Sequence, residues 1–528
     1  MTKFATGRAA TATKITTAEG GTGFVREPKA ELYVTAVSTL VENTTYETGD
    51  ERTTRLVDLV RQVTKEDPEW VLRFITWLRA EANMRSVAVL VACEFVKARL
   101  DAKLSGMNRQ AIKAACLRAD EPGEVIAYWQ GHFGRNLPKP VKRGLSDAAR
   151  ELFTERAALR YDGNDKAIRL GDVVELVHPE SKGPVQSALY GYLLDRRHGR
   201  RPTPDAVWDA LPAIVARRDL NAMTVADRHA FARRVMAGDV EAEKLFSLAL
   251  AGQWEWGKSW LGQDSEDETF ERLTDAEQWE LFVPYGLGFM AMLRNLRNFD
   301  KAGISEEMVT LVKGRLIDKD EVVKSRQLPL RFLSAYKATG GNHWDLALSM
   351  ALEYSLANVP ELPGRTLVLV DQSGSMFHRV SERSEVEWSD QAALFGTALA
   401  LRGEDVTLVQ FGTSSAQVPL DRTKTVLQHM DKFGPLGGTQ TMDAVRRWFS
   451  GHDRIVIVTD EQSHYDRSGA TLGTLVPDEV PVYTWNLAGY RVAHGEAAPN
   501  RVTFAGLTDG AFALIPLLER GMVADYPF

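Results

Sequence analysis

Thr366-Leu-Val-Leu-Val-Asp371-Gln-Ser-Gly-Ser375-Met376 is the stretch on which the fold turns. The run from Thr366 to Val370 is short, continuous and rich in aliphatic side chains, as suits a strand covered on both faces. It stops at Asp371, after which Ser373 and Ser375 bring one carboxylate and two hydroxyls to alternating positions. A hard cation such as Mg²⁺ takes oxygen ligands in near-octahedral array, and this loop offers three. Its place at the carboxyl end of a strand is where open α/β sheets bind ligands.

Outward from this loop, Val406–Phe411, Arg454–Thr459 and Val480–Trp485 read as further strands. Between the first two strands lies Ser389-Asp-Gln-Ala-Ala-Leu-Phe-Gly-Thr-Ala-Leu-Ala-Leu-Arg402, apolar at Ala392, Phe395 and Leu399, which fits a crossover helix. Strands alternating with helices predict an α/β doubly wound, mostly parallel sheet. Two more oxygen-bearing segments fall at loop positions of such a sheet, Gly437-Gly-Thr439-Gln-Thr441 and Thr459-Asp460-Glu461. In these residues the chain resembles the von Willebrand factor A domain. That resemblance implies a metal-ion-dependent adhesion site with Asp371, Ser373, Ser375, Thr439 and Asp460 as ligands, and Thr441 as a possible substitute for Thr439. We place this domain at 361–528, after the helix-breaking Asn358-Val-Pro-Glu-Leu-Pro-Gly364.

Upstream, residues 28–360 carry helical signals almost throughout. In Asp67-Pro-Glu-Trp-Val-Leu-Arg-Phe-Ile-Thr-Trp-Leu78, Asp67 can cap, Pro68 suits the first helical position, and Trp70, Phe74, Trp77 and Leu78 share an apolar face. Pro329 and Gly340 bracket a second such helix. More than 300 residues of this kind exceed one bundle core and suggest stacked helix pairs, an α-solenoid. Residues 1–27, rich in Thr, Ala and Gly without periodicity, read as a flexible or loosely docked arm.

The 528 residues, 44% hydrophobic and 26% charged, are globular in composition. No secretory signal opens the chain and no apolar run is long enough to span a bilayer, so we expect a cytoplasmic protein with no membrane contact. Cys93 and Cys116 lack metal-ligand spacing and read as buried apolar residues. A net charge of −7 excludes indiscriminate coating of nucleic acid, so any such site is a local patch.

Such a patch lies between Arg135 and Arg169, where nine basic side chains face five acidic ones, and Arg196-Arg-His-Gly-Arg-Arg201 adds a second. Here Gly134-Arg-Asn-Leu-Pro-Lys-Pro-Val-Lys-Arg143, Arg160-Tyr-Asp-Gly-Asn-Asp-Lys-Ala-Ile-Arg169, Asp172-Val-Val-Glu-Leu-Val-His178 and Met292-Leu-Arg-Asn-Leu-Arg-Asn-Phe299 look like the TROVE-domain family of Ro ribonucleoprotein autoantigens, bacterial members included. The resemblance covers about residues 25–528. It implies HEAT-like helical repeats closed into a ring with the A domain. It also implies small noncoding Y-type RNA on the outer surface, and single-stranded 3′ ends of misfolded RNA in the central hole. A 3′ exoribonuclease, polynucleotide phosphorylase, is an implied partner. Residue by residue, Arg160 and His178 match the outer RNA-contacting surface, Lys166 and Arg169 lie beside them, and Lys139, Lys142 and Arg143 match a basic loop. Asp162, Gly163 and Asn164 stand where the family carries basic residues. Arg85 and Arg294 read equally as groups facing a hole and as structural ion pairs.

We therefore expect a noncatalytic, monomeric RNA scaffold. The alternative is a metal-dependent protein-adhesion module, in which the cation at Asp371 captures an acidic side chain. Hydrolysis is the minor reading, because neither a GxSxG elbow nor a paired-aspartate phosphatase motif accompanies the loop. His378, Glu382 and His464 read as solvated loop residues.

Overall fold

A computed structural model describes residues 12–16, 22–38, 49–200, 210–262, 270–340, 342–382, 384–460, 471–487, 501–505, 511–522 and 525–528. Glu461, His464 and Arg201 lie outside the described residues. The chain forms two compact units, one of residues 60–309 with 528, the other of residues 1–59 with 310–527.

The first unit is helical. Its repeating logic is visible in Pro68–Ala80, where the Asp67 carboxylate accepts from Trp70 N at 3.0 Å and Pro68 opens the first turn. Trp70, Phe74, Trp77 and Leu78 are buried as their spacing predicts, and the helix packs on Arg85–Asp101. Burying such a side chain stabilises by roughly 1.5–3 kcal/mol, which is why amphipathic helices this short persist. Helices close in sequence pack on one another along the unit: Asn108–Ala114 on Lys139–Leu152, that helix on Leu170–Val177, and Leu170–Val177 on Pro184–Arg197. This is stacked-repeat architecture. Cys93 and Cys116 are buried and free. Arg85 is structural: it pairs with Glu121 at 3.0 Å and Glu124 at 2.7 Å. Arg294 is exposed.

The second unit holds the sheet. Strands β1 (Ala12–Thr16) and β2 (Thr22–Arg26) pair antiparallel, so part of the segment expected to be a flexible or loosely docked arm forms a strand pair. Its strands, five residues each, are too short for alternation to register in the sequence. The main sheet contains β3 (Leu362–Asp371), β4 (Gly403–Phe411), β5 (Ser415–Gln417), β6 (Arg454–Thr459), β7 (Val482–Asn486) and β8 (Arg501–Ala505) in the order β5-β4-β3-β6-β7-β8. All pairings are parallel except β4 with β5. The predicted crossover is the Trp388–Arg402 helix. The chain moves from β3 to β4 on one side and then to β6 on the other, so the topological switch point lies between β3 and β6.

The border expected at 361 marks the start of the sheet but not the edge of the compact unit. Pro329–Thr339 packs on Trp388–Arg402, and Asp345–Ser355 packs on Val426–Met430. Lys337 pairs with Asp390 at 3.0 Å, the Glu353 carboxylate accepts from Val426 N, and Arg402 Nε donates to Val359 O at 3.0 Å. The Pro28–Ser38 helix packs on Ala511–Met522. Arg454, fully buried, is clamped bidentately by Glu519 at 2.6 and 2.9 Å and donates to Thr366 Oγ1 at 2.8 Å. Among the described residues no helix is long and apolar enough to cross a membrane.

Candidate metal centre and candidate nucleic-acid interface

Parallel pairing of β3 with β6 sets Val370 against Val458, which brings Asp371 beside Thr459 and Asp460 at the sheet's carboxyl edge. Asp371 is fully buried. Its Oδ1 accepts from Ser373 N at 2.8 Å, and its Oδ2 accepts from Thr459 Oγ1 at 2.6 Å. Ser373 Oγ and Ser375 Oγ are 3.2 Å apart. That is close to the edge of an octahedron with bonds of roughly 2.1 Å, so both hydroxyls can ligate one Mg²⁺-sized ion.

The loop carrying the threonines is fastened to this one through the backbone. Gly374 N donates to Gly437 O at 2.7 Å and Leu436 N to Gln372 O at 2.8 Å, while Gln440 N donates to Gly412 O, just after β4, at 3.1 Å. Gly437 sits at φ 81°, a left-handed turn that a side chain would strain. Thr439 and Thr441 are both buried there, Thr441 as the first residue of the Thr441–Trp448 helix. Asp460 is fully buried one residue beyond β6. Burial pushes the Asp371 carboxyl up to about 6; hydrogen bonds from Thr459 and Ser373 oppose the rise, and the charge of Asp460 adds to it. Two adjacent buried carboxylates among hydroxyls are a donor set that a hard divalent cation fits and would relieve. Thr459 was not singled out from sequence as a site residue. Its role depends on strand pairing across 88 positions. His378 and Glu382 are exposed loop residues, as expected.

In the helical unit, Lys139, Lys142 and Arg143 occupy the first turns of Lys139–Leu152, with Lys139 and Arg143 exposed and Lys142 half-buried. None has an acidic partner among the described residues. Arg160, exposed near the end of the Glu155–Tyr161 helix, lies over the Tyr161 ring at 5.5 Å. Arg118 approaches the same ring at 5.2 Å, so two guanidiniums flank one aromatic. Arg118, paired with Asp120, has no local sequence signal linking it to Tyr161. His178 is exposed and ends the Leu170–Val177 helix in the left-handed region, at φ 48°. Such a conformation costs a non-glycine residue on the order of 1 kcal/mol and gathers at functional positions. Lys166 is exposed and 3.3 Å from Asp165.

Arg169 departs from expectation. Its guanidinium pairs with Asp162 at 2.7 Å and is mostly buried. Asp162 itself is buried, accepts from Leu170 N at 2.9 Å and has Arg196 at 3.5 Å. Arg169 therefore anchors the loop between two helices instead of facing a ligand. Asp162, which stands where the resembled family carries a basic residue, is buried in this pairing.

Residues 257–363 match the TROVE domain family model. Telomerase protein component 1 of Mus musculus is 43% identical over 103 residues, and that of Rattus norvegicus 41% over 103 residues. Each match covers 18% of this chain and 4% of the relative, so the chain spans a small part of the curated relatives it matches. The crystal structure of the Deinococcus radiodurans Ro (RSR) protein aligns with a TM-score of 0.70 at 16% identity, covering 95% of this chain and 100% of that one. At that identity the likeness is one of fold. Both candidate sites lie outside residues 257–363.

Proposed function

Because residues 257–363 match the TROVE domain family model and the chain has the fold of a Ro protein, we propose that it is an RNA-binding scaffold of that family. In this proposal a small noncoding Y-type RNA binds the cationic surface formed by Lys139, Lys142, Arg143, Arg160 and His178. Single-stranded 3′ ends of misfolded RNA enter the central hole that the family resemblance implies, for quality control or decay with a 3′ exoribonuclease. The observation carrying this reading is the set formed by exposed Lys139, Arg143 and Arg160 and half-buried Lys142, with no acidic partner among the described residues, in a chain of net −7. Structured RNA is recognised chiefly through phosphates and shape, and single strands through stacking. Filter binding of a stem-containing RNA with a single-stranded 3′ tail, at about 50 mM salt where phosphate contacts are strongest, is the test. Arg160→Ala with His178→Ala should weaken it severalfold; unchanged binding overturns the assignment.

We also propose that Asp371, Ser373, Ser375, Asp460 and one of Thr439 and Thr441 hold Mg²⁺. When bound, the ion would offer an open position to an acidic oxygen. Asp371→Ala should abolish Mg²⁺ binding by calorimetry while changing RNA affinity less than twofold. A large loss of RNA binding in the folded variant would show that the sites are not separate. Partner-protein binding abolished by EDTA and indifferent to RNase would favour the adhesion alternative.

The Asp371 carboxyl, raised from 3.8 to about 6, holds its proton more tightly folded than unfolded. The cation-free protein should therefore lose stability as pH rises from about 4 to 6, and Mg²⁺ affinity should fall as pH drops below about 6. Calorimetric titrations at several pH values would read the second effect. A flat profile across this window would contradict it.

A further inference from the structure

The Glu121–Phe133 helix ends in a cluster of rings outside the sites above. Tyr128 and His132, four residues apart on one face, stack with centroids 4.1 Å apart and planes 16° from parallel. Trp129 and Phe133 meet edge to face at 4.8 Å on the adjacent face. The Tyr128 ring is held: its hydroxyl donates to Glu94 Oε1 at 2.9 Å, and that buried carboxylate is fixed by Arg61 at 2.8 Å. The His132 ring is held by Nδ1, 2.9 Å from Tyr128 O. His132 is nonetheless exposed, and a Cβ built on neighbouring Gly131 meets no heavy atom within 4 Å.

From this ledge the chain turns at Gly134, with φ 90°, into a loop pinned by Trp129 Nε1 donating to Asn136 O at 3.2 Å and by buried Leu137. That loop presents Arg135, exposed and without an acidic partner among the described residues, and leads into Lys139, Lys142 and Arg143. Lys97 lies 5.9 Å from the Phe133 ring but is paired with Asp101. A held, exposed aromatic face continuing into cations that have no acidic partner among the described residues is the arrangement that binds single-stranded nucleic acid, bases on rings and phosphates on cations.

We propose that His132, backed by Tyr128, is a stacking ledge for an unpaired nucleobase of single-stranded RNA, with Arg135 and Lys139 engaging its flanking phosphates. The proposal rests on the RNA-scaffold reading and adds a ligand class to its cationic surface. It is tested on the full chain by fluorescence anisotropy with labelled oligouridine of about ten nucleotides, and with a blunt RNA hairpin lacking unpaired bases. His132→Ala should weaken oligouridine binding by about tenfold, leave the hairpin unchanged and leave the salt dependence intact. His132→Phe should restore binding, whereas Arg135→Ala should lower the salt slope by about one. Equal losses for both RNAs, no loss, or no rescue by phenylalanine would overturn the ledge. Tight hairpin binding with no oligouridine binding would also overturn it and leave the scaffold reading standing; binding of neither RNA would remove the scaffold reading itself.

Discussion

Asp162→Ala should lower the stability of the helical unit by about 3 kcal/mol, seen as an earlier urea midpoint at unchanged slope. The carboxylate is buried and accepts from Leu170 N and Arg169 Nη2. Its removal leaves a largely buried guanidinium without a counter-charge and a helix-start amide without an acceptor, two losses of different kind. Asp162→Asn keeps an acceptor for the amide and should fall between wild type and alanine. Because this loop joins the helices bearing Arg160 and His178, RNA affinity should drop as well. A change below about 0.5 kcal/mol, the range of ordinary surface substitutions, would show that Asp162 does not organise the loop.

Replacing Lys139, Lys142, Arg143 and Arg160 together with alanine should reduce RNA affinity by on the order of a hundredfold at low salt and flatten its salt dependence. Each phosphate contact removed takes roughly one unit from the slope of log affinity against log salt concentration. Both quantities come from titrations at several salt concentrations. The changed residues are exposed or half-buried, so the denaturation midpoint should hardly move. Loss of affinity with an unaltered slope would mean that these side chains do not meet phosphate.

Legibility followed covalent proximity. Asp371, Ser373 and Ser375 could be read because three oxygen-bearing side chains sit within five residues at the end of a β-run, and the structure keeps them together. Thr459 and Arg118 could not, since each reaches its partner through strand pairing or helix packing between distant segments. Arg169 looked like a surface cation because its partner, Asp162, lies across a loop at a spacing that matches no helical pair rule. The change from helix to strand at Leu362 was legible. Its failure to delimit the compact unit was not, because that depends on which faces of Pro329–Thr339 and Asp345–Ser355 find partners.

The packing of Pro28–Ser38 on Ala511–Met522 also dictates an order of events during synthesis. Residues 60–309, the whole of the first unit except residue 528, are contiguous and pack largely between neighbouring helices, so most of this unit can assemble while the ribosome is still at work. The other unit draws on residues 1–59 and 310–527. Its early helix, with Leu32, Tyr33, Ala36 and Val37 on the buried side, must remain uncovered until the late helix emerges. That interval is the window in which a nascent-chain chaperone would matter most.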